Sequence, residues 1–148
     1  MAEHRLDGDQ HVVRHCRNRQ LIRNDQGEVV GVFPDAFALR PMETYLSAVW
    51  LECMDGDLSA RIQWAHACLS TGLKIRGKDG LGVLSVGRAV AAGVARSAKI
   101  KIRHEPGVLN PSYATIRGLP REDDELRQLL AAQAIVSVHE VQSLVARS

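Results

Sequence analysis

The sequence predicts a single α+β domain, with a mainly antiparallel or mixed sheet and two to three helices packed on it. Three observations support this class. The chain has 148 residues, a length that suits one domain with a real core. Its 45% hydrophobic and 24% charged residues are ordinary for a globular protein. Short strand-like segments outnumber the helical ones and are interspersed with them.

The N-terminal third is expected to consist of short strands and turns. Residues 1–10 are polar and are interpreted as a flexible N-terminus, so the domain is placed at residues 11–148. A first strand is predicted at His11–Arg17. The turn-forming residues 24–27 then let Glu28–Phe33, which is rich in valine, pair back as a hairpin.

The middle of the chain carries the clearest helical stripe. Pro34 ends the hairpin, and Ala36–Arg40 is expected to be a short extended piece. Tyr45–Glu52 is mostly apolar, which predicts a strand buried on both faces. Asp57 is a plausible N-cap for a helix over Leu58–Leu69, because apolar residues recur there with helical spacing.

The second half alternates further strands with two helices. The expected strands are Leu73–Lys78, Leu81–Val86, Lys99–His104, Ser112–Arg117 and Ile135–Val141. A short alanine-rich helix is predicted over Arg88–Ser97. A better-defined one follows over Arg121–Ala134, with an acidic first turn that suits the helix dipole and with Leu126 and Leu130 on its buried face.

The number of cysteines and the hydropathy of the chain indicate the cellular compartment in which the protein is expected. Cys16, Cys53 and Cys68 are odd in number and widely spaced, which predicts reduced thiols without a disulfide or a bound metal. No apolar run approaches the ~20 residues of a membrane span. The polar N-terminus lacks a signal-peptide core. We therefore expect a cytoplasmic protein without a membrane association, and no motif indicates a cofactor.

Positive charge is the main functional signal. Lysine and arginine alternate with apolar or small residues in two predicted strands, and two further arginines follow the first strand. The candidate anion- or partner-binding residues are Arg17, Arg19, Lys74, Arg76, Lys78, Lys99, Lys101 and Arg103. If the strands are neighbours, these cations share one face and attract phosphates. The alternative is a solvated sheet face whose lysines discourage edge pairing.

A thiol also lies among the first cations. Cys16 follows Arg14 and His15, and neighbouring cations lower the pKa of a thiol. Consecutive side chains in a strand point to opposite faces, however, so His15 is badly placed to act as the base for Cys16. Cys16 is therefore interpreted as a buried, unreactive residue.

Two stretches resemble a family of small bacterial proteins of unassigned function. The first runs from Ala36 through Arg40 and continues with Glu43, Leu46 and Ser47. The second contains His104, Glu105 and Pro106 and then residues 110–119, from Asn110 to Leu119. The pattern spans most of the chain, and the resemblance implies no known activity.

A fainter similarity is to ADP-ribosyltransferases of the arginine–serine–glutamate class. Arg14, Ser47 and Glu140 stand in that order, although the paired glutamate and the Ser-Thr-Ser stretch of the class are missing. This resemblance implies a small NAD-dependent enzyme with these three residues as its catalytic set. The leading hypothesis is a non-enzymatic component that docks a protein partner or a nucleic-acid backbone through its basic face, and its oligomeric state is left open.

Overall fold

The protein was analysed as a computed structural model, which describes residues 3–145. Seven strands form one sheet in the order β1-β7-β8-β5-β2-β6-β9, and β3 and β4 form a separate two-stranded sheet. Every strand pair in the described part of the chain is antiparallel. The predicted α+β class with a mainly antiparallel sheet is therefore confirmed.

The strands of the described residues are short, with at most six residues each. They are β1 (His4–Arg5), β2 (His11–Cys16), β3 (Leu21–Arg23), β4 (Val29–Val32), β5 (Tyr45–Trp50), β6 (Gly80–Ser85), β7 (Lys101–His104), β8 (Tyr113–Arg117) and β9 (Ile135–Glu140). The α-helices are α1 (Leu58–Ser70), α2 (Val86–Ala95), α3 (Asp124–Leu129) and α4 (Val141–Val145). Short 3-10 turns cover Asn18–Gln20, Pro34–Phe37 and Leu51–Cys53, and a π-helical turn over Leu130–Ala134 extends α3.

The large sheet is covered on both faces. On one face α2, α3 and the π-helical turn bury aliphatic side chains against the strands, and Leu46, Leu84 and Ile116 are there almost inaccessible to water. On the other face α1 packs on a smaller cluster that includes Val49 and Leu81. Apolar burial on both faces is the main stabilising contribution to such a fold.

The first major helix begins at Leu58 as predicted, whereas α3 begins at Asp124, three residues after the predicted start at Arg121. The side chain of Asp57 accepts a hydrogen bond of 2.8 Å from the amide of Ala60 at the start of α1. Asp123 similarly caps α3 through the amide of Leu126, at 3.0 Å. Leu126 and Leu130 are buried, as the stripe predicts. The amphipathic pattern therefore identified both helices.

Three local predictions differ from the structure in part or in full. The hairpin predicted for Glu28–Phe33 forms across the turn at residues 24–27, but its partner is Leu21–Arg23 rather than the first strand. Ala36–Arg40 is not extended throughout, since Pro34 begins a 3-10 turn over Pro34–Phe37. Leu73–Lys78 is an irregular loop that pairs with no strand of residues 3–145; the Asp79 side chain accepts from the amide of Arg76, and the carbonyl of Gly77 accepts from the amide of Gln142.

The N-terminal residues differ from the expected flexible segment. His4–Arg5 pairs with β7, and the amide of Leu6 donates to the carbonyl of Ile102 at 2.9 Å. Leu6 is also buried in the core. The polar composition of residues 1–10 gave no sign of this pairing. Residues 1–2 of the predicted N-terminal segment and residues 146–148 of the predicted domain lie outside the described residues.

One glycine has a conformation that its neighbours require. Gly118 ends β8 with φ at +85°, and a Cβ atom there would lie 2.0 Å from the carbonyl oxygen of Lys99. Such a φ is rare for residues with a side chain.

Within residues 3–145, no helix has the length and apolar character needed to cross a membrane.

Candidate functional site: a basic cleft

Two adjoining concavities lie at the end of the sheet where β2 ends and β5 and β6 begin. The inner one has a volume of about 270 Å³ and the outer one about 550 Å³. They share five lining residues, which are His15, Arg17, Arg19, Arg40 and Leu73. The two concavities therefore form one continuous depression, called here the basic cleft.

The floor of the inner concavity is formed around Arg14. The β2–β5 ladder ends at Val13 and Val49, and beyond it the Arg14 guanidinium bridges the two strands. It donates to the carbonyl oxygens of Ser47 and Ala36, both at 2.9 Å. Burial lowers the pKa of this guanidinium, because removal from water disfavours the cation, yet an arginine stays charged at neutral pH.

The lysines and arginines of the cleft lining have no carboxylate partner at ion-pair distance in the described residues. These residues of the lining are Arg14, Arg17, Arg19, Arg40, Lys74 and Arg76. Some arginines outside the cleft are paired, such as Arg23 with Glu140 at 2.7 Å and Arg117 with Glu105 at 3.0 Å, and others are not. The six cations of the lining outnumber its three carboxylates, so the cleft carries a net positive charge.

Asp79 connects three of the segments that carry these cations. Its carboxylate accepts hydrogen bonds from the His15 ring at 2.8 Å and from the amides of Asn18 and Arg76, both at 3.0 Å. Burial would raise the pKa of Asp79, but the bonds from Arg76, His15 and Asn18 outweigh it, and the pKa lies below its usual value. The ionised carboxylate thus holds the strand end, the 3-10 turn and the loop before β6 together.

The opposite wall of the cleft is fixed in a similar way. The side chain of Glu43 accepts from the amide of Arg40 at 2.8 Å. Arg121 donates from its guanidinium to the carbonyl oxygens of both residues, at 3.2 and 2.6 Å. These bonds hold the backbone of the Arg40 turn, while the Arg40 side chain stays available to a ligand in the cleft.

The candidate binding residues fall into two groups. Arg17, Arg19, Lys74 and Arg76 line the cleft, whereas Lys78 is exposed outside its lining. The remaining candidates, Lys99, Lys101 and Arg103, lie on β7 or just before it.

The two basic segments do not occupy neighbouring strands, so the condition for one shared basic face is not met. Lys74–Lys78 is a loop leading into β6, and the strands β8, β5 and β2 lie between β6 and β7. Four interstrand spacings separate the two groups by about 19 Å. The physical reason is that strand neighbours are set by the long-range pairing of the sheet, which the alternation of charges within each segment does not specify.

The three residues of the transferase-like alternative are only partly brought together. Arg14 and Ser47 are in direct contact, and both line the inner concavity. Glu140 lies at the end of β9, two strands away from β2, where Arg23 and Gln142 bind its carboxylate. The described geometry therefore gives Arg14 and Ser47 no shared pocket with Glu140.

The cysteines lie away from the cleft lining. Cys16 and Cys68 are buried in the clusters on opposite faces of the sheet, and Cys53 is partly exposed. Burial raises the pKa of the Cys16 thiol to about 11, so this thiol is protonated at neutral pH. Among residues 3–145, no three His, Cys, Asp or Glu side chains converge as a metal site would require.

Sequence reasoning missed four residues that build the cleft. Arg14 and His15 belong to the dense run of positive charge that the sequence shows near the first strand, but the predicted binding set omits both. Asp79 was interpreted as half of an Asp-Gly turn, and Arg40 as the end of an extended piece. The density of arginines from Arg14 to Arg19 was the available signal, and it pointed to the correct end of β2.

Comparisons with protein-family models, with curated proteins and with solved structures found no match to this chain. The two sequence resemblances stay predictions.

Proposed function

We propose that the protein is a non-enzymatic binding component that holds a nucleic-acid backbone in its basic cleft. The observation that carries the proposal is the clustering of six cations, none of them ion-paired within residues 3–145, around the basic cleft. The same lining contains only three carboxylates, of which Asp79 is committed to its own hydrogen bonds. A concave surface with an excess of one charge concentrates ligands of the opposite charge.

The chemistry of the lining favours phosphates over an acidic protein. Four of the five exposed cations are arginines, whose planar fork matches phosphate oxygens. A protein interface is usually centred on aromatic and apolar anchors. In the described lining, apolar contact comes only from Ala38, Leu39 and Leu73, and no Phe, Tyr or Trp takes part.

The same composition indicates how the nucleic acid would be bound. Sequence-tolerant binding of single strands usually combines cations with aromatic side chains on which bases stack. With no such side chain in the described lining, contacts to the phosphate backbone dominate, and affinity should depend weakly on sequence. We also propose that the protein acts in the cytoplasm, a location that the odd number of cysteines supports.

Paired charge reversals test the proposal. Arg17→Glu with Arg40→Glu changes two exposed cations of the cleft, and Lys99→Glu with Lys101→Glu makes the same change in charge at β7. Binding of a fluorescent single-stranded RNA or DNA is followed by anisotropy at low salt. We expect the cleft variant to lose at least about tenfold more affinity than the β7 variant, because phosphate contacts are local. Equal losses in both variants would show that net charge alone drives binding, and the cleft would be rejected.

A further inference from the structure

The inner concavity differs from the rest of the basic cleft in the group at its floor. Arg17, Arg19 and Arg40 are exposed around it, whereas Arg14 is held between β2 and β5. An extended backbone can follow the exposed cations. The strands and the 3-10 turn at Pro34–Phe37 lie behind Arg14, so a terminal group approaches the floor with chain on one side only, whereas an internal group must bring chain on both sides.

The floor has donors suited to a compact anion. Two of the five N–H donors of the Arg14 guanidinium bind carbonyl oxygens, and three remain. The ring of His15 also lines the concavity. Its Nε2 donates to the ionised Asp79, and Nδ1 of the neutral ring has no proton to donate, so the donors on the floor come from Arg14. A partly buried guanidinium with no carboxylate at ion-pair distance in the described residues is an expensive arrangement unless an anion completes it.

The charge of a terminal phosphate fits this environment better than that of an internal one. A phosphomonoester carries about −1.5 to −2 charge at pH 7 and offers three strong acceptor oxygens. An internal phosphodiester carries one charge and is flanked by sugars on both sides. Asp35 and Glu43 also line the concavity, but Glu43 is bound to the amide of Arg40. The cations of the inner concavity still outnumber these two carboxylates.

We propose that the inner concavity binds a terminal phosphate, so that the cleft holds the phosphorylated end of a nucleic-acid strand. This inference rests on the proposed function, since it assigns a specific end of the ligand to the same cleft. The Arg14 guanidinium would bind the phosphate oxygens, and the exposed cations would bind the backbone that follows.

Oligonucleotides that differ only at their ends test the inference. Three fluorescent strands of one sequence carry a 5′-phosphate, a 3′-phosphate or hydroxyl groups at both ends, and their affinities are measured by anisotropy at one salt concentration. We expect one phosphorylated strand to bind about tenfold more tightly than the hydroxyl strand, the gain typical of one added charge-assisted contact. The comparison of the 5′ and 3′ arms identifies which end is bound.

Variants of the protein show which residues cause the tighter binding of the phosphorylated strand. Arg14→Gln should abolish the preference for a phosphorylated end, and Lys101→Gln, which removes one exposed charge outside the cleft, should retain it. Because Arg14 bridges two strands, its replacement could also unfold the protein. Ala38→Leu, at a partly exposed position of the lining, fills the concavity without touching that bridge and should abolish the preference as well.

The outcomes separate this inference from the proposed function. Equal affinity for all three strands would overturn the terminal site while the proposed function stands. A preference that survives both Arg14→Gln and Ala38→Leu would overturn its placement in the inner concavity. A wild-type protein that binds none of the strands would overturn both proposals.

Discussion

Salt should weaken nucleic-acid binding by an amount that the structure of the cleft specifies. Five exposed cations line it, which are Arg17, Arg19, Arg40, Lys74 and Arg76. If each neutralises one phosphate of a single strand, the slope of log affinity against log salt is about −3.5, since each contact contributes about −0.7. Raising salt from about 50 to about 200 mM should then reduce affinity about 130-fold.

The double variant Arg17→Gln with Arg40→Gln gives a second value for the slope of log affinity against log salt. With three exposed cations left, the slope should be about −2.1, and the same change in salt should cost only about 18-fold in affinity. The assay is anisotropy of a labelled single strand at four or more salt concentrations. Lys99→Gln with Lys101→Gln is the matched control and should leave the wild-type slope unchanged, because both residues lie outside the cleft.

A slope that is identical in wild type and cleft variant would refute the reasoning. It would mean that the two arginines make no phosphate contact, whatever the absolute affinity. A reduced slope in the β7 control, with the cleft variant unaffected, would move the binding surface to β7. The measurement therefore tests the location of binding independently of the ligand's sequence.

Further predictions concern stability and reactivity. Asp79→Asn should cost about 1–3 kcal/mol in urea unfolding at pH 7, because it weakens a buried, triply bonded acceptor. The pKa of Asp79 lies below its usual value of 3.8, so its ionised carboxylate stabilises the folded protein above that pH. This stabilisation is lost as pH falls through the folded pKa, and the Asp79→Asn variant should not show that loss. In thiol titration at pH 8, the partly exposed Cys53 should react in the native protein, and Cys16 only after unfolding. Leu126→Ala should lower the free energy of unfolding by about 2–5 kcal/mol. Gly118→Ala should destabilise the protein severely, seen as a lower thermal midpoint, since its Cβ would clash with a carbonyl oxygen.

Local patterns in the sequence were sufficient for the helices and for several strands. The stripe that begins at Leu58 and the one around Leu126 specified both major helices, because helical periodicity and capping residues act within a few turns of the chain. Tyr45–Trp50 was recognisable as a buried strand, since its apolar residues face the clusters on both sides of the sheet.

The candidate site was partly accessible for the same reason. The run of arginines that begins at Arg14 is local, and it drew attention to the end of β2, where the cleft lies. Arg40 and Asp79 gave no such signal, because their roles depend on segments more than 20 residues away in the chain.

By itself the sequence determined which segments are helical, which are strand-like and where the cations lie along the chain. Only the tertiary structure decided which strands are neighbours, and therefore which cations share a surface. It separated Lys74 and Arg76 from Lys99 and Lys101 and joined the first pair to Arg17. The physical reason is that strand order is set by the packing of two core clusters and by long-range backbone pairing, whereas periodicity and turn chemistry report only on near neighbours in the chain.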